Sequence, residues 1–346
     1  MDARFEAARR RATRPLPALV LLLVATLLAA CAGPAATPTL DPATPLPSAT
    51  AQPTAAPTAT PTEAPAFPVT LTDDEGTEVT IPAQPATIVS LTPASTETLF
   101  AIGAGDRLVG KVEDFSLYPP EAASVPDVAK FGSVDVEQIV GLGTELVIAG
   151  GSNFNPPEAI AKLRQLGVPV LVLFAPDLDT AIADIELIGR ATGRSDEAAE
   201  VTASIRGAFD AVATATAGRP VPRVFYELDA SNGFFGPAPD YFGTEMIRTA
   251  GGEPLTSGKP GVYQIEAEQI VAFDPEVILL GDAAYGVTPE QVAARPGWDV
   301  LTAVRNGAVR PIDDVIVTRP GPRLADGIRA LALAIHPDLV LPTPVP

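Results

Sequence analysis

The chain has 346 residues, with 23 lysines and arginines against 42 aspartates and glutamates, one histidine and one cysteine. Beyond residue 30 the balance is 18 against 40, a net charge of −22, which argues against nucleic acid as a partner and against adhesion to anionic lipid. One cysteine allows no disulfide framework or thiolate cage, and His336 alone is too few ligands for a bare zinc or manganese centre, so no direct protein–metal site is expected.

The N-terminus reads as an export signal. Arg4, Arg9, Arg10, Arg11 and Arg14 precede an apolar run from Ala18 to Ala30, the charge and length pattern of a secretory signal. The run is shorter than the roughly 20 apolar residues that span a bilayer. Its ending, Leu28-Ala29-Ala30-Cys31, resembles the lipobox of bacterial lipoproteins, which implies lipidation of Cys31; an ordinary cleaved signal is the alternative. From Ala32 to Phe67 the chain is almost entirely Ala, Pro and Thr. Such a segment buries too little to offset its entropy and reads as an extended tether. The chain thus divides into a signal at 1–30, a disordered tether at 31–67 and a body from 68. Attachment to the membrane is expected through the lipid anchor only, on the outer face of the cytoplasmic membrane.

In the body, strand and helix signals alternate. Strands are expected at Thr87–Leu91, Leu108–Val112, Leu146–Ala149 and Val168–Leu173, with a turn at Thr92–Glu97 and helices at Thr98–Ile102, Val136–Leu142 and Pro157–Leu166. Helices then follow at Asp179–Ala191, ending at Gly193, and from a Ser195 cap to Ala217. In the second of these, Ala198, Val201, Ile205, Ala208 and Val212 form one apolar stripe along a helix about 33 Å long. The pattern resumes with strands at Val224–Leu228 and Val277–Leu280 and helices at Thr244–Ala250 and Glu266–Ala272. Alternation of this kind predicts an α/β fold with mainly parallel, helix-covered sheets.

Val134-Asp135-Val136-Glu137-Gln138-Ile139-Val140 matches Ile265-Glu266-Ala267-Glu268-Gln269-Ile270-Val271 at an offset of 131, and the match continues to Gly150 against Gly281. The repeat predicts two similar Rossmann-like lobes, at 68–177 and 219–346, joined through connecting helices at 178–218.

Ile88-Val89-Ser90-Leu91-Thr92-Pro93-Ala94-Ser95-Thr96-Glu97, Tyr118-Pro119-Pro120-Glu121-Ala122, Arg295-Pro296-Gly297-Trp298 and Arg319-Pro320-Gly321-Pro322-Arg323 together resemble the substrate-binding lipoproteins of iron–siderophore and vitamin B12 ABC importers. In that family two α/β lobes are joined by one backbone helix. The resemblance implies a monomeric, non-catalytic receptor that captures a ferric siderophore or a corrinoid and delivers it to a permease dimer with its ATPase. It also implies that Arg319-Pro320-Gly321 begins the last helix, and that Glu137 and Glu268, one per lobe, dock onto permease arginines.

A binding cleft needs aromatic planes and a few placed polar groups at the C-terminal edges of parallel strands. The loops there carry Pro93, Ser95, Phe115, Phe131, Asn153, Phe154, Phe235, Tyr241, Tyr285 and Arg319. Phe115 aligns with an aromatic that packs on ligand in B12-binding relatives. Arg319 is a candidate partner for an anionic chelate or for a ligand carboxylate or phosphate, or else a structural ion pair. Haem is a third ligand, with Tyr241 or Tyr285 as the available oxygen donor. A secreted hydrolase lacks support, because there is no Gly-x-Ser-x-Gly elbow and His336 is alone. A sensor presenting its cargo to a membrane receptor remains the rival binding role. One stiff connecting helix predicts only a small closure on binding.

Overall fold

The computed structural model describes residues 67–116 and 118–343; the expected signal, Cys31 and nearly all of the tether lie outside these residues. A hairpin, Val69–Thr72 (β1) against Glu78–Ile81 (β2), comes first and has no counterpart among the expected elements. The first lobe then runs Ile88–Ser90 (β3), Pro93–Ala101 (α1), Leu108–Val112 (β4), Asp127–Lys130 (β5), Ser133–Val134 (β6), Val136–Gly141 (α2), Leu146–Ala149 (β7), Pro157–Gln165 (α3) and Val170–Val172 (β8). Its sheet has the order β6-β5-β4-β3-β7-β8 and is parallel except at β6.

Leu178–Thr192 (α4) and Ser195–Thr216 (α5) connect to the second lobe. That lobe runs Arg223–Glu227 (β9), Phe234–Phe235 (β10), Phe242–Thr249 (α6), Glu253–Pro254 (β11), Gln264–Ile265 (β12), Ala267–Phe273 (α7), Val277–Leu280 (β13), Pro289–Ala293 (α8), Thr302–Arg305 (α9), Val309–Pro311 (β14), Asp314–Thr318 (α10) and Leu324–Ile335 (α11). The main sheet, β11-β9-β13-β14, is wholly parallel, and β10 pairs with β12. Strands β3, β7, β8 and β13 are buried along their whole length, as strands covered on both faces must be.

The repeat has a structural counterpart. Strand β13 stands 131 residues after β7, and α7 starts 131 residues after α2. Asp135 caps α2 by accepting from Gln138 N at 2.9 Å. At the matching place Glu266 and Gln269 form a reciprocal capping box on α7.

Several helix starts differ from expectation, three of them instructively. Helix α1 begins at Pro93, because the Thr92 hydroxyl caps it by accepting from Ser95 N at 3.2 Å; the stretch read as a turn is helical. Ser195 is the first residue of α5 and not its cap. Arg319 closes α10, and the last helix starts only at Leu324.

One cluster of buried side chains joins the lobes. It links Ile88 and Leu146 of the first sheet, Ile188 of α4, Ile205 and Val212 of α5, Val224 and Leu279 of the second sheet, and Leu331 of α11. In the α5 stripe, Ala198, Ile205, Ala208 and Val212 are buried, and Val201 is half-buried. The remaining faces have separate clusters, one around Val89, Val147 and Leu163, the other around Phe225, Ile278 and Trp298. Among the described residues no helix is long and apolar enough to cross a membrane.

Candidate functional site

The loops after β3, β7 and β8 face the start of α6 and the end of α10 across a cleft of about 750 Å³ floored by α4. That volume lies within the roughly 300–1,000 Å³ typical of small-molecule sites. On the first lobe Phe131 and Phe154 meet edge to face, with centroids 6.3 Å apart, and Phe174 stands beside them. Phe131 is 78% exposed and Phe154 47%, so their faces are open to a ligand. Opposite them Tyr241 and Tyr263 pack edge to face at 5.5 Å.

Short-range bonds hold this wall in place. The buried Asn155 side chain accepts from Gly150 N at 2.7 Å and donates to Leu91 O at 3.3 Å, tying the loop that carries Asn153 and Phe154 to the end of β3. A Cβ on Gly150 would come within 2.7 Å of Thr92 Cγ2, so the approach needs glycine. The β1–β2 turn fixes Phe174, whose N–H donates to Asp74 Oδ2 at 2.6 Å.

Asp184 of α4 lies in the cleft wall against Asp74. Burial, and then the neighbouring Asp74 charge, push the Asp184 carboxyl up to about 8. Asp74 is raised as well, chiefly by burial. Burial also raises the Tyr241 hydroxyl far above its usual range, with the Asp314 charge adding to it.

At one end of the cleft the lobes are bridged by ions. Arg319 Nη1 donates to Asp114 Oδ2 at 2.7 Å, to Glu97 Oε1 at 2.9 Å and to Ser116 Oγ at 2.9 Å, while Nη2 reaches Asp114 Oδ1 at 2.6 Å. Arg323 holds the same Glu97 through Nε at 2.8 Å and Nη2 at 2.6 Å. Burial alone would raise the Asp114 carboxyl, but Arg319 and Ser116 outweigh it and hold the acid below its ordinary value. Phe115 lies over the Arg319 guanidinium at 5.6 Å and packs against Tyr285 at 6.3 Å.

Of the expected ligand residues, Pro93, Ser95, Phe131, Phe154, Tyr241 and Arg319 line the cleft. Phe115 and Tyr285 instead meet each other beside the ionic bridge, and Phe235 sits half-buried in the β10–β12 ribbon. The Arg319 donors face protein carboxylates, not the open cleft. Phe174, Tyr263 and Asp184 were not anticipated: Phe174 and Tyr263 lie in loops beside short strands, and within helix α4 no local pattern singles out Asp184. Glu137 and Glu268 are exposed in the first turns of α2 and α7. His336 ends α11, buried, with Nε2 3.2 Å from Gly251 O.

Comparison with known proteins fits this architecture. The sequence profile described as periplasmic binding protein matches residues 88–315. The uncharacterized ABC transporter substrate-binding lipoprotein YvrC of Bacillus subtilis (strain 168) is 32% identical over 277 residues, 79% of this chain and 87% of that protein. A cobalamin-binding protein of Halobacterium salinarum is 30% identical over 285 residues, covering 78% of this chain and 75% of that protein. The solved periplasmic vitamin B12 binding protein BtuF of Vibrio cholerae superposes with a TM-score of 0.63 at 27% identity, over 73% of this chain and 97% of that one. The periplasmic heme-binding protein RhuT of Roseiflexus sp. RS-1 does so with a TM-score of 0.64 at 25% identity, over 72% and 98%. With a profile match of this extent, two parallel-sheet lobes and a cleft between them, the chain belongs to the periplasmic binding protein family.

Proposed function

We propose that this protein is the extracytoplasmic solute-binding component of an ABC importer, capturing an iron–siderophore or corrinoid chelate and passing it to a permease. The carrying observation is the aromatic-walled cleft between the lobes. Its breadth suits a large rigid chelate, whose apolar faces gain from burial against Phe131, Phe154 and Tyr241. Pro93 and Ser95 would complete the contact at the start of α1. The names of the relatives support the ligand class, since they include cobalamin and haem binders.

In this reading Cys31 carries the lipid that holds the monomeric protein at the outer face of the cytoplasmic membrane, and residues 31–67 are its tether. Glu137 and Glu268 present equivalent carboxylates, one per lobe, to the two subunits of a permease dimer. Calorimetric and native mass-spectrometric titration of the purified chain with ferric siderophores, cobalamin and haem tests the function. Saturable binding at micromolar or tighter affinity is expected; no binding across the panel would overturn it. Trp298 lies buried against Phe225 and Phe234, outside the cleft, so its fluorescence is a poor reporter.

A further inference from the structure

From the charges on the cleft walls we infer that the cargo is a chelate of zero or positive net charge with neutral polar substituents, and that the cleft discriminates against chelates carrying carboxylates or other anionic groups. The inference rests on the solute-binding reading above and narrows it.

The ionisable side chains lining the cleft, apart from its tyrosines, are Asp184, Asp240 and Arg319. Arg319 is the single cation among them, and Asp114 and Glu97 already take its donors. Any anion that drew it away would leave the largely buried Asp114 carboxylate without its cation and Glu97 with Arg323 alone. Leaving a buried charge unpaired is strongly unfavourable. The acids are not so neutralised. The Asp74–Asp184 carboxyl pair faces no lysine or arginine partner among the described residues. Asp240 accepts only from Gly261 N, at 2.9 Å, and no cation pairs with it among the described residues.

The remaining polar side chains on the walls are uncharged: Thr92, Ser95, Thr98, Asn153, Thr318 and the tyrosine hydroxyls. They suit the amide arms of a corrinoid or the hydroxamate oxygens of a siderophore, to which they can donate and from which they can accept. An entering carboxylate would lose its water and find no free guanidinium or ammonium. It would also meet the field of a strongly acidic body.

Matched pairs of ligands test this with the full-length protein in detergent. One pair is cyanocobalamin and its monocarboxylic acid, in which a single amide becomes a carboxylate. The other is cationic ferrioxamine B and the same chelate with its amine succinylated. In whichever series binds, the anionic member is expected to be weaker on the order of tenfold at low salt, with the gap shrinking as ionic strength rises. Asp240→Asn, which keeps the acceptor for Gly261 N, should narrow the gap several-fold. Equal or tighter binding of the anionic member, or a gap unmoved by both salt and Asp240→Asn, would overturn the charge inference while the receptor role stands. Failure of both series, with a ferric tris-catecholate or haem binding instead, would also overturn it. Failure of every chelate would overturn the receptor role itself.

Discussion

Arg319 of the second lobe and Asp114 of the first, 205 residues apart in the chain, form a two-pronged ion pair at 2.7 and 2.6 Å. Both side chains are largely buried, and Glu97 joins them to Arg323. The bridge ties the mouth of the cleft shut at one end. Removing one member of such a pair is costly because the other stays buried and charged. Arg319→Met should therefore destabilise the protein by about 3 kcal/mol and lower Tm by several degrees, at roughly 2–4 °C per kcal/mol. Arg319→Lys should recover only part of this, since an ammonium cannot make the planar two-pronged contact. A melting curve for Arg319→Met within about a degree of the parent would show that the bridge contributes nothing.

Asp184 gives the protein a pH-dependent weakness. Its pKa is raised in the folded state to about 8, from the ordinary carboxyl value of 3.8. A group that binds protons more tightly when folded stabilises fully below its unfolded pKa, and that contribution is lost as pH rises through the folded one. The window here runs from about pH 4 to about pH 8. Asp184→Asn cannot ionise, so relative to it the parent should lose on the order of 2–5 kcal/mol between pH 5 and 9. Urea unfolding at the two pH values measures the difference. Parallel stability curves for parent and variant would rule the effect out.

The docking role proposed for Glu137 and Glu268 is separable from capture. The two carboxylates are exposed, and neither lines the cleft. Charge reversal at both, Glu137→Arg with Glu268→Arg, should abolish uptake in cells carrying the cognate permease and leave ligand affinity within about twofold. Uptake at the parental rate would remove these residues from the permease interface.

Two glycines test how the connecting helices pack. A Cβ on Gly189 of α4 would lie 2.5 Å from Ala198 Cβ of α5 and 2.9 Å from Arg194 O, whereas one on Gly207 of α5 meets nothing within 4 Å. Gly189→Ala should cost about 1–3 kcal/mol through overpacking. Gly207→Ala should stabilise by about 0.5–1 kcal/mol, the ordinary helix preference for alanine. Urea midpoints moving in opposite directions are the expected result; two equal shifts would mean that α4 and α5 are not closely apposed at Gly189.

Much of this architecture could be read from residue order. The parallel strands and α5 are long or strongly apolar, so local periodicity marks them, and the Glu-Gln-Ile-Val repeat carries the two-lobe layout because each copy opens a helix before a buried strand. The β1–β2 hairpin escaped notice because its strands have four residues each, with one and two buried positions. The cleft was half legible. Loop position located Phe131, Phe154 and Tyr241, but Phe174 depends on a hairpin turn 100 residues earlier. Arg319 shows the limit most clearly: an arginine in a cleft loop is chemically suited to an anionic ligand, and only the fold reveals that Asp114 and Glu97 reach it first.

The shared core around α4, α5 and α11 has a thermodynamic consequence. Side chains from both sheets bury themselves against the same helices, so neither half could melt and leave the other with a covered apolar face. The two lobes should behave as one cooperative unit in calorimetry, giving a single endotherm whose van't Hoff and calorimetric enthalpies agree.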